Sequence, residues 1–209
     1  LKITPLDGAE HLSLARLQHT NIVPLYSVLD DSARNIRILC MPYFGRVTLA
    51  SLLHSLAGVP VGTRTGQHFV DAINATAPRD SKQPQPPVAL QMLAHVSYVQ
   101  AMCWITASLA DALEFAHQRG VVHLDIKPSN VLLANDGQPM LLDFHLALGP
   151  IRPGGALPDK FGGTPGYMPP EQERVVRSLQ NGQPVEFPVD GRADIYALGA
   201  MLYESLGGQ

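Results

Sequence analysis

The run His123-Leu124-Asp125-Ile126-Lys127-Pro128-Ser129-Asn130, followed after two short apolar stretches by Asp143-Phe144-His145, gathers an aspartate, a lysine, an asparagine and a second aspartate. Transfer of a phosphoryl group asks little covalent chemistry of a protein. It needs a group to orient the attacking hydroxyl, a cation for the moving phosphoryl and oxygen ligands for Mg2+. Asp125 suits the first task and Lys127 the second, while Asn130 and Asp143 suit the third. Taken alone, such a loop is also compatible with a polar turn closed by Asn130.

These residues must be held by neighbouring elements. Val131-Leu132-Leu133 and Met140-Leu141-Leu142 read as two short strands joined by the tight-turn sequence Asn135-Asp136-Gly137. That hairpin brings Asn130 and Asp143 to one edge. Upstream, Val99, Met102, Ile105, Leu109, Leu113 and Ala116 recur at helical spacing over 96–119, with Gly120 placed as a C-cap. Downstream, 194–206 reads as a final apolar helix, and 146–161 as a loop broken by Pro150, Pro153, Gly154, Gly155 and Pro158.

Nearer the start, Asp7 and Glu10 form a capping-box-like opening to a short helix bearing Leu12, Leu14, Ala15 and Leu17, stopping near His19-Thr20-Asn21. Positions 22–28 and 35–41 are β-rich runs around Asp30-Asp31-Ser32 and read as an antiparallel hairpin, with Pro42 ending the second strand. Positions 48–56 have helical spacing. Positions 58–87, rich in Gly, Pro, Thr and Gln, show no sustained period and read as a mobile insertion.

The 209 residues and 45% hydrophobic content suit one sizeable core of mixed class. A net charge of -3 with interspersed signs offers no basic stripe, so nucleic acid is not an expected partner. Cys40 and Cys103 form no C-x-x-C pair and support neither a zinc site nor a disulfide framework; a reducing cytoplasm is the expected setting. No apolar run reaches the ~18 residues of a membrane span, so no membrane contact is expected from this segment, although a longer parent could be membrane-anchored.

The two motifs resemble H-R-D-L-x-x-x-N and D-F-G of protein kinases, and other stretches resemble the family in the same order. The resemblance implies an α+β, two-lobe fold. Lys2 would hold the α and β phosphates of ATP, and Glu10 would hold Lys2. Met41 would be the gatekeeper of an adenine-binding hinge, in which the Pro42 carbonyl and Phe44 N–H meet the base; Leu132 joins the same nucleotide-binding set. Asp125 would be the catalytic base, Lys127 the transition-state cation, and Asn130 and Asp143 the Mg2+ ligands. Gly163-Thr164-Pro165-Gly166-Tyr167-Met168-Pro169-Pro170-Glu171 resembles the end of an activation segment, where Thr164 would bond Asp125 and Lys127. Asp194-Ile195-Tyr196-Ala197-Leu198-Gly199 resembles the buried helix whose aspartate accepts from catalytic-loop amides. Leu14, Leu25, His123 and Phe144 would stack as the family's spine.

Lys127-Pro128-Ser129-Asn130 resembles the serine/threonine form of the loop, so the implied activity is phosphorylation of serine or threonine in a protein substrate. The implied division is a lobe remnant over 1–41, a hinge over 42–47 and a second lobe over 48–209, with the insertion extending over about 58–95. No glycine-rich loop precedes Lys2 and little follows the helix of Asp194, so the chain is expected to be an internal piece of a kinase domain of roughly 250 residues or more. Leu124 stands where the family has Arg, His145 where it has Gly, and Pro169 where it has Ala. His145, Pro169 and the truncation sustain an alternative, a pseudokinase acting as a nucleotide-binding or scaffold module; a small-molecule phosphotransferase is a third reading.

Overall fold

The computed structural model describes residues 1–7, 10–77, 85–154 and 161–208. Its first part is a three-stranded antiparallel sheet in the order β1-β3-β2, built from β1 (Lys2–Pro5), β2 (Ser27–Asp31) and β3 (Ile36–Cys40). The register sets Lys2 opposite Leu39, which is fully buried. Helix α1 (Glu10–Leu14) buries Glu10 and Leu14. The expected capping box reaches into positions 8–9, which lie outside the described residues.

The hairpin forms later than its sequence pattern suggests. Pro24 can donate nothing to a ladder. Ile22 and Val23 are instead buried against the strand Pro139–Leu141, with Val23 N–H donating to Leu141 O at 3.1 Å and Leu141 N–H to Asn21 O at 2.8 Å. Asp30 and Asp31 therefore belong to β2, and the turn falls on 32–35, where Asn35 takes φ 54°.

A second antiparallel sheet, β4-β5-β6, joins β4 (Val47–Thr48), β5 (Val131–Leu133) and β6 (Pro139–Leu141). Helix α2 (Leu49–Ser55) starts from a reciprocal capping box in which Thr48 and Ser51 bond each other's backbone. The long helix α5 (Tyr98–His117) has an equivalent box between Ser97 and Gln100. The chain turns out of it at Gly120, whose φ of 69° few other residues would adopt. Buried along α5, Met102, Ile105, Leu109 and Leu113 form the centre of the largest apolar cluster, shared with α7 (Arg192–Ser205) through Ala197, Leu198 and Met201.

The expectation for 58–87 is also corrected. Positions 58–87 are not without regular structure: after a 3-10 turn at Val61–Thr63, helix α3 (Gln67–Thr76) buries Phe69, Val70 and Ile73 in the main core. Helix α4 (Val88–His95) adds Leu90 and Leu93. Three apolar residues at helical spacing outweighed the Gly and Pro on either side, which mark only the ends of the element. Positions 78–84 lie outside the described residues. Helix α6 (Pro170–Gln180) follows the activation-segment-like stretch, with Pro at its first turn and the pair Val175 and Leu179 as its helix signals. Glu171 at its start is half-buried, so it keeps contact with water and escapes the cost of an isolated buried charge. No helix of the described residues is long and apolar enough to cross a membrane.

Candidate active site

The loop between α5 and β5 is fastened from beneath. Asp194, on α7 and 1% exposed, accepts the backbone N–H of His123 and of Leu124, each at 2.8 Å, and contacts His117 Nε2 at 2.7 Å. It lies inside its helix and is not an N-cap, a place held by Gly191. Leu124 has φ 66°, a left-handed conformation unfavourable for a bulky residue, which those bonds stabilise. The His123 ring sits 4.5 Å from that of Phe144 and contacts Leu142 O through Nε2 at 2.9 Å. Leu14 and Phe144 share one apolar cluster, with Leu25 packed against it.

On this base stands the first charged group. Asp125 is buried; its Oδ1 accepts from Thr164 Oγ1 at 2.6 Å, and its Oδ2 lies 2.8 Å from Lys127 Nζ. Lys127 Nζ also donates to Thr164 Oγ1 at 2.8 Å, which closes a triangle. Asn130 Nδ2 donates to Asp125 O at 2.8 Å and to Asp125 Oδ2 at 3.2 Å. Thr164 follows Gly163, whose φ is 151° and where an added Cβ would lie 2.6 Å from Gln172 Nε2. Gln172 Nε2 in turn donates to Leu124 O at 2.8 Å and Gly162 O at 2.6 Å, tying the segment before α6 to the loop. Neither Gln172 nor His117 was singled out in the sequence; the helical period that buries Gln172 beside Val175 was the available signal.

The second group gathers around Lys2 of the first sheet. Lys2 Nζ donates to Glu10 Oε1 and Oε2 at 2.8 and 2.7 Å and to Asp143 Oδ1 at 2.7 Å. Burial pushes the Asp143 carboxyl up, but the bonded Lys2 ammonium, and His145 beside it, outweigh that and hold it below the usual carboxylate range. Asp143 itself has φ 62°, which aspartate tolerates better than most residues. His145 Nδ1 lies 2.5 Å from Asp143 Oδ1.

The third group is apolar. Met41, Phe44 and Leu142 pack on a buried cluster of Val23, Leu132, Ala134 and Met140. Phe44 O accepts from Asn135 N at 2.6 Å. Among the described residues neither the Pro42 carbonyl nor the Phe44 N–H has a hydrogen-bond partner. A planar heterocycle with a donor and an acceptor on one edge suits such a strip.

Beside Lys127 opens a cleft of about 430 Å³ lined by Leu53, His54, Pro128, Ser129, Tyr167 and Glu204. Tyr167 donates to Glu204; burial first, and the adjacent carboxylate second, push its phenol well above the usual tyrosine range. The arrangement therefore combines an anion-binding lysine, a carboxylate and ammonium held on one hydroxyl, and an apolar slot.

Comparison with known proteins agrees with this architecture. The family model for the protein kinase domain matches residues 91–209. Serine/threonine-protein kinase AfsK of Streptomyces coelicolor is 41% identical over 49% of this chain and 12% of its own length. A probable serine/threonine-protein kinase of the same organism is 30% identical over 94% of this chain and 23% of its own length. Serine/threonine-protein kinase PknD of Chlamydia abortus is 28% identical over 92% of this chain and 18% of its own length. The chain thus spans at most about a quarter of these relatives. With over half its length matched by the family model and an α+β architecture of two small antiparallel sheets and helices, the chain belongs to the protein kinase domain family.

Proposed function

We propose that this chain catalyses ATP- and Mg2+-dependent transfer of the γ-phosphoryl group to serine or threonine hydroxyls of protein substrates. One observation carries the reading: Asp125 and Lys127 converge on Thr164 Oγ1, with Asn130 bonded to the same aspartate. A carboxylate and an ammonium held on a hydroxyl next to phosphate-binding groups suit hydroxyl-to-phosphoryl chemistry.

In this reading Asp125 accepts the hydrogen bond of the attacking hydroxyl and aligns it, and Lys127 balances charge on the transferring group. Lys2, oriented by Glu10, binds the α and β phosphates. The Pro42 carbonyl and Phe44 N–H take the adenine edge, with Met41 and Leu132 against its faces. The hinge then spans 42–47, between a lobe at 1–41 and a larger one at 48–209.

The residues fit Mg2+. The Asn130 amide nitrogen is engaged with Asp125, which leaves its oxygen open, and Asp143 Oδ2 makes no hydrogen bond among the described residues. Both are hard oxygen donors. With two protein ligands, the ion would take its remaining ligands from phosphate and water. Bound there, Mg2+ supplies charge neutralisation for the phosphate oxygens.

The cleft beside Lys127 suits an extended acceptor segment, and the names of the relatives favour serine or threonine as the acceptor. The test is transfer from labelled ATP with Mg2+ to a generic basic substrate protein, using the full-length protein and its Asp125→Asn variant. Transfer that disappears in the variant supports the reading. ATP binding without transfer by either protein overturns it in favour of a nucleotide-binding module.

A further inference from the structure

His145 occupies a position where a glycine would offer no side chain, and its imidazole reaches back to Asp143. Lys2 Nζ at 2.7 Å and His145 Nδ1 at 2.5 Å both lie on the same oxygen, Oδ1. A carboxylate only accepts, so the hydrogen of the second contact is carried by Nδ1. Oδ2 makes no hydrogen bond among the described residues, nor does His145 make a second one.

The backbone just before Asp143 is already fixed. Leu142 N–H donates to Asn130 O at 2.9 Å, and Leu142 O meets His123 Nε2 at 2.9 Å. What stays free is rotation of the Asp143 side chain. Lys2 controls that rotation poorly, because its donor sits on a flexible stem and is shared with both oxygens of Glu10. His145 is two residues away, shorter and planar, and brings a directed N–H.

We propose that His145 is a positioning residue: by capturing Oδ1 of Asp143 together with Lys2, it reserves Oδ2 as the oxygen that ligates the nucleotide-bound divalent cation. The inference rests on the reading of Asp143 as a metal ligand. Groups that orient a ligand in this way commonly contribute about 10- to 100-fold to metal affinity.

The test measures affinity of the full-length protein for a fluorescent ATP analogue, with and without Mg2+, so that the ratio reports the metal. The His145→Gly variant is expected to lose about tenfold of the Mg2+ enhancement at unchanged metal-free affinity. His145→Asn, whose amide N–H replaces Nδ1–H, is expected to stay within about threefold of the native ratio. Asp143→Ala is expected to abolish the enhancement. A native or larger ratio in His145→Gly beside a lost one in Asp143→Ala overturns the role of His145 alone. An equal loss with and without Mg2+ in His145→Gly marks a merely structural side chain and overturns it as well. An undiminished ratio in Asp143→Ala sinks the metal reading itself, and the inference with it.

Discussion

The carboxylate of Asp194 accepts the backbone N–H of His123 at 2.8 Å across 71 positions of sequence. Its other oxygen takes the Leu124 N–H at the same distance. Asp194→Ala would leave two buried N–H groups without partners at a residue with a left-handed backbone. We expect a loss of about 3 kcal/mol or more. Asp194→Asn retains one accepting oxygen and should lose only about half as much. Urea denaturation of the full-length protein and both variants checks the order.

Thr164 is held from two sides, by Lys127 and Asp125. Its hydroxyl keeps these opposite charges at a fixed separation. Thr164→Val should lower the phosphate-transfer rate by about 10- to 100-fold while leaving KM for ATP within about twofold, because its contacts are remote from the adenine strip. Thr164→Ser, which keeps the hydroxyl, should stay near the native rate. Steady-state kinetics of the three proteins decides this.

Much of this site was legible because local sequence sets it. Asn130 and Asp143 flank a hairpin whose Asn-Asp-Gly turn fixes the strand pairing, so both fall at one edge. The long helix α5 announced itself by period and by Gly120. By contrast, the assignment of Pro42 and Phe44 to an adenine edge comes from resemblance and stays a proposal, since unpaired backbone groups have no sequence signal. The contact of His117 with Asp194 was hidden for a related reason: two helices must pack before the pair exists. Helix α3 was obscured by the Gly and Pro around it, although Phe69 and Ile73 alone give it a core-facing stripe.

Leu124 is 4% exposed and belongs to a second apolar cluster with Val122, Val175, Val185, Val189 and Ala193. Leu146, Ile151 and Phe161 pack on it, so apolar contact joins the loop of Asp125, the segment after Asp143 and α6. Leu124 stands where the resemblance gives an Arg, and its side chain brings no charge to pair with a phosphorylated loop. Phosphatase treatment should therefore leave the transfer rate within about twofold. Leu124→Arg should not install a phosphorylation switch and should destabilise the protein by about 3 kcal/mol or more, since the guanidinium would be buried without a partner. Transfer assays before and after phosphatase, with denaturation of the variant, test both statements.

Asp143 is ion-paired with Lys2, and its folded-state pKa lies below the ordinary carboxylate value. A group depressed in this way contributes stability above its unfolded pKa, about 3.9, and loses it as pH falls through the lower folded value. The stability gap between the native protein and Asp143→Asn should therefore be present at about pH 5 and close progressively below about pH 4. Asparagine suits the comparison because it tolerates the left-handed backbone of position 143, so only the charge is removed. Denaturation midpoints of both proteins across the acid range test this. A gap that persists unchanged to the lowest pH would mean that the Lys2 contact does not stabilise the charged carboxylate.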